Sequence, residues 1–266
     1  MAKSEKNQKV LLRIDGPIAT ITLNRPEKLN ALDAEIWLGL EEAANAVKQK
    51  PDVRVAILTG AGDRAFSAGI DLKMVTSGGG FSLGRPVRGG FESMQEMKEV
   101  FNMYESLPVP VIAAINGYCV GAAMELVLAC DIRLASETAI FTIPEITLGV
   151  IPDMGGTQRL PRIVGPGMAK ELIYTGKRID AAEALRIGLV NHVYPKDSLM
   201  SEARQLAEEI ASKEPAAVQG AKRAINVAMS HSLEVGLTYE TATALSAIGS
   251  AQRFLEGAQA FSQKKT

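Results

Sequence analysis

An α/β fold with a parallel-sheet core and a helical C-terminal region is predicted from three features of the chain. Two short runs, Val53–Thr59 and Val109–Ile115, are apolar almost throughout, as strands buried on both faces are. They alternate with stretches of helical period, Ala34–Lys48 and Phe91–Leu107. From Leu199 onward only helical patterns follow, so a helical appendage succeeds the alternating part.

The bulk composition narrows the function classes. The chain has 266 residues, 47% of them hydrophobic, enough for one large core with an appendage. A net charge of −1 gives no basic field for nucleic acid or an anionic membrane. Two cysteines, Cys119 and Cys130, and two histidines stand apart, which argues against a disulfide scaffold and a zinc site. The opening MAKSEKNQKV has no apolar core of a signal peptide, and no run reaches transmembrane length, so a cytoplasmic protein is expected.

Taken in order, Val10–Ile14 and Ile18–Leu23 flank Asp15-Gly16-Pro17 and read as a hairpin. The polar loop NRPEKLNALD ends at Asp33, a plausible N-cap for the amphipathic helix Ala34–Lys48. After the strand Val53–Thr59, the loop Gly60–Ala65 matches the loose dinucleotide pattern. It lacks the helix after it and the acidic residue further on, so it reads as a tight loop with the Ala68-Gly69 backbone open to a ligand. The glycine-rich stretch 76–90 is expected to be a surface loop or lid. Asp131–Ala135, Ala139–Thr142 and Leu189–Tyr194 read as further strands, and His192 as structural. Helical patterns cover Gly167–Tyr174, Ala181–Ile187, Leu199–Ala211, Ala216–Met229, Leu233–Ala247 and Gln252–Ser262. No internal repeat is evident in the residues.

The stretch Ala114–Cys130 is the centre of the chain. A buried strand ends at Asn116-Gly117, and Gly121-Ala122-Ala123 opens an apolar helix whose first turn carries Glu125. Small residues at a helix start leave backbone N–H groups accessible to a ligand, the arrangement of an oxyanion hole. Glu125 reads equally as an acid beside such a hole or as a charge favoured by the helix dipole. Further on, Glu145 and Asp153 lie in an irregular, proline-marked segment, where they serve either chemistry or capping. No GxSxG elbow and no P-loop is present. Carboxylates beside small-residue turns suit proton transfer at a carbon made acidic by a neighbouring carbonyl.

These motifs resemble the enoyl-CoA hydratase/isomerase (crotonase) superfamily over essentially the whole length. They are NRPEKLNAL (24–32), FSAGIDL (66–72), INGYCVGAAMELVLACDIRLA (115–135), PEITLGVIPDMGGTQRLPRIVG (144–165) and EGAQAF (256–261). The resemblance implies a crotonase-like spiral of repeated ββα units over 1–195 and a helical trimerisation region over 196–266. The expected substrate is an acyl-CoA thioester and the expected assembly a homotrimer or a homohexamer of two trimers, with no metal or redox cofactor.

By the same resemblance, the N–H groups of Ala68 and Ala122 are the oxyanion donors. Lys28, Leu29, Ala31, Gly69, Ile70, Asp71, Leu72 and Gly121 fall on the substrate and CoA contacts, as do Phe261 and Lys264 from the C-terminal region. Glu125 and Glu145 match the two glutamates of hydratases, which implies water addition to a 2-enoyl-CoA. Asp153 stands where hydratases commonly carry a small residue. It is similar to the third carboxylate of dienoyl-CoA isomerases, so an enoyl-CoA or 3,5-dienoyl-CoA isomerase using Glu145 and Asp153 is the alternative.

Overall fold

In a computed structural model of the protein, the described residues are 8–76, 83–84, 90–247 and 251–263. They belong to two compact units that meet in sequence at Glu208 and Glu209.

The first unit is built on two sheets. Strands β1 (Val10–Asp15) and β2 (Ile18–Leu23) form the expected hairpin, paired from Val10 opposite Leu23 to Asp15 opposite Ile18. Helix α1 (Ala34–Lys48) then starts where the sequence places it, because the Ile36 N–H donates to the Asp33 carboxylate at 3.0 Å and caps the first turn. Strand β3 (Val55–Gly60) and the three-residue β4 (Ala65–Ser67) follow, then α2 (Leu72–Thr76) and α3 (Gly90–Ser106). Next come β5 (Val111–Ile115), β6 (Tyr118–Val120) and α4 (Ala122–Leu128), then β7 (Ile132–Ser136) and β8 (Ile140–Thr142). A 3-10 turn at Glu145–Leu148 precedes α5 (Gly156–Val164) and α6 (Pro166–Thr175), and β9 (Ile179–Asp180), α7 (Ala181–Arg186) and β10 (His192–Tyr194) close the sheets.

The larger sheet has the order β1-β2-β3-β5-β7-β10 and is parallel except for the first hairpin. The smaller has the order β4-β6-β8-β9, parallel except at its last pair. The chain makes the same passage three times: a strand of the large sheet, a strand of the small sheet, then helical structure. This is the ββα repeat that the resemblance implies, present in topology although the residues show no repeat. The short strands β4, β6 and β9 have no counterpart in the sequence reading, because two or three residues are too few for an alternating pattern to register.

Burial follows the predicted pattern. Strands β3 and β5 are buried at every position, on both faces. Helices α1 and α3 pack through Trp37 and Phe101, whose rings stack with centroids 5.1 Å apart, and the Trp37 indole N–H donates to the Met97 carbonyl at 2.9 Å. The second unit contains α9 (Pro215–Ala228), packed against α10 (Leu233–Ala247), and α11 (Ala251–Gln263), while α8 (Leu199–Ala211) carries the chain across from the first.

Two glycines mark the exits from the large sheet to the small one. A Cβ on Gly60 would lie 2.5 Å from the Phe66 carbonyl oxygen, and one on Gly117 would strike the Arg64 backbone. Close backbone approach, and not turn flexibility, therefore requires glycine at both. Gly117→Ala is expected to destabilise the fold by about 1–3 kcal/mol, the range for forced overpacking. Gly167→Ala in α6, where a Cβ meets nothing within 4 Å, is expected to be neutral or stabilising by up to about 1 kcal/mol. Urea unfolding of the two variants checks both.

Candidate active site

The centre of the site is the start of α4. Gly121, at φ +56°, caps the helix without a side chain, and its own N–H donates to the Thr142 carbonyl at 2.9 Å. Its carbonyl accepts the Glu125 N–H at 3.1 Å. Across the trans peptide the Ala122 N–H then points the opposite way, out of the helix start, and has no hydrogen-bond partner among the described residues.

The loop after β4 faces this turn. A Cβ on Gly69, which has φ +84°, would lie 2.5 Å from the Val120 carbonyl oxygen and 3.5 Å from the Ala122 nitrogen. The two backbones are thus in contact, and glycine is the one residue that permits it.

The sequence assignment of Ala68 as the first oxyanion donor is corrected here. The Ala68 N–H donates to the Leu29 carbonyl at 2.9 Å, and the Gly69 N–H to the Ser67 hydroxyl at 3.2 Å, so both are taken up inside the fold. Beyond them, the Leu32 N–H donates to the Gly69 carbonyl at 2.8 Å and the Asp71 N–H to the Leu32 carbonyl at 3.0 Å. Gly69 C=O and Ile70 N–H lie on opposite sides of one trans peptide, so the Ile70 N–H points away from Leu32 and is left without a partner among the described residues. The signal that distinguishes Ile70 from Ala68 is hydrogen-bond accounting, which a sequence does not contain.

The three predicted carboxylates come together around the first turn of α4. Glu125 is 1% exposed, and the Gly156 N–H, at the start of α5, donates to its Oε1 at 2.7 Å. Glu145, from the 3-10 turn, reaches the other side: a Cβ on Gly121 would lie 2.7 Å from its Oε1. Its Oε2 is buried with no hydrogen-bond partner among the described residues. Asp153 lies in the turn before α5, close enough for its charge to act on both glutamates. Burial pushes Glu125 up to about 8, opposed by the Gly156 N–H and reinforced by the charges of Glu145 and Asp153. Glu145 is also raised, first by burial and then by Asp153.

Two supports for this arrangement were not predicted. Gly156 leaves room for Glu125, whose Oε1 would lie 2.9 Å from a Cβ there. Arg159 holds the 153–156 turn through the Met154 carbonyl at 3.3 Å, anchored in turn on Asn102 at 2.6 Å and Glu105 at 2.7 Å.

The remaining predicted contacts divide. Lys28 and Leu72 are exposed, and Leu29 and Ala31 are half-buried beside the donor loop. The Asp71 carboxylate is held by Arg25 at 2.7 Å. Phe261 lies on α11, with its side chain outside the described residues, as are Lys264 and most of the glycine-rich stretch 76–90.

Residues 13–266 match the family model described as enoyl-CoA hydratase/isomerase. The chain belongs to that family. It is similar to the crotonyl-CoA hydratase of Syntrophomonas wolfei, 38% identical, with 97% of this chain and 96% of that protein covered. It is similar also to the short-chain-enoyl-CoA hydratase of Clostridium acetobutylicum, 41% identical over 87% of this chain and 86% of that protein. Among solved structures, the enoyl-CoA hydratase of Bacillus anthracis superposes with a TM-score of 0.88 at 41% identity, covering 97% of each chain. The protein is therefore an enzyme of the hydratase/isomerase family with a crotonase fold. No helix among the described residues is long and apolar enough to cross a membrane.

A carboxyl whose pKa is raised on folding binds more protons in the folded than in the unfolded state, so its contribution to stability declines as pH rises between the two values. For Glu125 that interval runs from the ordinary 4.5 to about 8. Glu125→Gln keeps an oxygen for the Gly156 N–H and removes the charge. The variant is expected to melt near wild type at pH 4.5 and progressively above it towards pH 8, where the gain levels off. Thermal melts across pH 4.5–9 check this.

Proposed function

We propose that the enzyme is an enoyl-CoA hydratase, adding water across the 2,3 double bond of a 2-enoyl-CoA. The observation that carries this reading is the pair of glutamates, Glu125 buried and Glu145 half-buried, set against the same turn that exposes the Ala122 N–H. The substrate carbonyl oxygen is received by the N–H groups of Ile70 and Ala122. As water attacks C3, negative charge passes through C2 to the thioester oxygen, where two fixed donors meet it without reorganisation.

The proton balance calls for one acid and one base at the same pH. Glu125, pushed up to about 8 by burial, is available as the protonated acid in the neutral range, and Glu145 is assigned the part of the base. The ionised carboxylate takes a proton from water as its oxygen bonds to C3. The protonated one delivers a proton to C2, and the pair exchanges its proton to restore the starting state. The unpartnered Glu145 oxygen suits contact with the reacting water.

Lys28, Leu29, Ala31 and Leu72 are assigned to the CoA moiety beside the donor loop, and Phe261 and Lys264 to its far end, as the resemblance implies. The CoA thioester is itself the substrate, with no further cofactor. A homotrimer or homohexamer is supported by the second unit: along α10, Leu233, Val235, Leu237 and Leu245 are exposed in the single chain, Leu233 and Leu245 at 78% and 71%. Action in the cytoplasm completes the reading.

One observation favours a second reading. Asp153 stands with the two glutamates and raises both, which gives an isomerase a second proton-transfer group besides Glu145.

Crotonyl-CoA separates the two. Rapid loss of the conjugated thioester absorbance with gain of one water by mass is expected for the wild type. Glu125→Gln and Glu145→Gln are expected to slow it by about 10²–10⁴-fold, the usual contribution of a proton-transfer group, and Asp153→Asn by less than about tenfold. Absence of hydration, with Asp153→Asn abolishing turnover of a 3,5-dienoyl-CoA, would replace the hydratase by the isomerase.

A further inference from the structure

The motif NRPEKLNAL has a role that CoA contact does not explain. Its residues grip the donor loop from one side. The Asn30 amide, wholly buried, donates to the Ala61 carbonyl at 3.0 Å and the Ala65 carbonyl at 2.9 Å, while its side-chain oxygen accepts the Arg25 N–H at 2.9 Å. The Asn30 carbonyl accepts the Ser67 hydroxyl at 2.8 Å, and the Leu29 carbonyl accepts the Ala68 N–H at 2.9 Å. Leu29 and Asn30 hold φ of +52° and +55°, a left-handed pair without glycine. Such residues persist where the surroundings over-determine them, and they concentrate at functional sites.

Arg25 closes the grip. Its guanidinium reaches Asp71 at 2.7 Å, the Ala31 carbonyl at 3.2 Å and Asp33 at 3.3 Å. Asp33 is tied to α1 by its N-cap bond and to Lys9 at 2.6 Å. Arg25 holds the Asp71 carboxyl below its ordinary range, chiefly through their hydrogen bond. Both side chains are largely shielded, 15% and 17% exposed, so the pair is not an ordinary surface ion pair. Asp71 follows Ile70 directly, and Leu32 is bonded to the residues on either side of Ile70.

We propose that Arg25, acting through Asp71, is a positioning residue for the oxyanion hole that fixes the direction of the Ile70 N–H. This rests on the reading of Ile70 and Ala122 as the oxyanion donors. A donor displaced by about 1 Å loses most of its effect on a transition state while leaving ground-state binding largely intact. What the motif supplies is therefore geometry, and the substrate need never touch Arg25.

The test compares wild type, Arg25→Gln, Asp71→Asn and the double variant in two measurements. One is steady-state turnover of a 2-enoyl-CoA. The other is the near-ultraviolet absorbance of bound acetoacetyl-CoA, whose enolate is stabilised by the same donors whichever reaction the enzyme catalyses. The expected result is a fall in kcat of about 10–100-fold in each single variant, with KM changed less than about threefold. The double variant is expected to be no worse than about threefold below the poorer single one, because both changes cut one linkage. The bound enolate fraction falls in parallel. Arg25→Lys, which keeps the charge but cannot bridge all three partners, is expected between wild type and Arg25→Gln.

A rise in KM with kcat unchanged would overturn the proposal and assign Arg25 and Asp71 to CoA contact. Multiplicative losses with wild-type enolate absorbance would overturn it as well, leaving a merely structural role. If Arg25→Gln does not fold, the near-isosteric Asp71→Asn and the Arg25→Lys variant decide by the same criteria. Failure of the wild type to stabilise the enolate is a separate outcome that removes the oxyanion reading and the proposal with it.

Discussion

The active site depends on one close approach of backbone to backbone, at Gly69 and the Val120–Ala122 turn. A methyl group on Gly69 would stand 2.5 Å from the Val120 carbonyl, so any side chain there would drive the two segments apart. The parallel pairing of β4 with β6 delivers both segments to the same edge of the small sheet. The ββα repeat is what makes this possible. Two successive repeats each turn back from the large sheet at a glycine, Gly60 or Gly117, and each ends beside the other. The fold brings two loops far apart in sequence into register, and the absence of a Cβ lets them meet.

A folded protein pairs nearly all its buried backbone groups, so two unpaired N–H groups at one place have to be protected from pairing. Here the neighbours are satisfied elsewhere. Ala68 donates to Leu29, Gly69 to Ser67, Asp71 to Leu32 and Gly121 to Thr142, while the Ile70 and Ala122 N–H groups, which face each other across the Gly69 approach, have no such partner among the described residues. The burial of Glu125 has the same character. Desolvation opposes its ionisation, and the Gly156 N–H partly offsets this. Each is a local cost to stability that the extensive core of the first unit can bear, since β3 and β5 are buried at every position.

Much of this was legible in the residues. The N-cap at Asp33, the hairpin around Gly16 and the central strand–turn–helix follow from local rules of capping, turns and period. The gathering of Glu125, Glu145 and Asp153 followed from the resemblance, and the geometry agrees, because the 3-10 turn and the start of α5 both close on the first turn of α4. Of the small sheet only β8 was legible; β4, β6 and β9 were not, since they are two or three residues long and paired with distant partners. Nor was the choice of Ile70 over Ala68. Both are small-loop residues in FSAGIDL, and what separates them is which carbonyl lies opposite each N–H, a fact of tertiary structure alone.

The division of labour within the site follows from which groups are backbone and which are side chain. Oxyanion donors made of peptide N–H are indifferent to the acyl group and to where the proton goes, so they define the enolate but not the reaction. On the proposed reading, the reaction is set by the carboxyls, which a substitution can add or remove. Glu125 and Glu145 are fixed by buried contacts with Gly156 and Gly121, each too close for a larger residue. Asp153, by contrast, sits in a half-buried turn whose position is held through the Met154 carbonyl and Arg159. A third carboxylate placed on such a turn changes the proton inventory of the site while leaving the donors and the glutamate pair where they are.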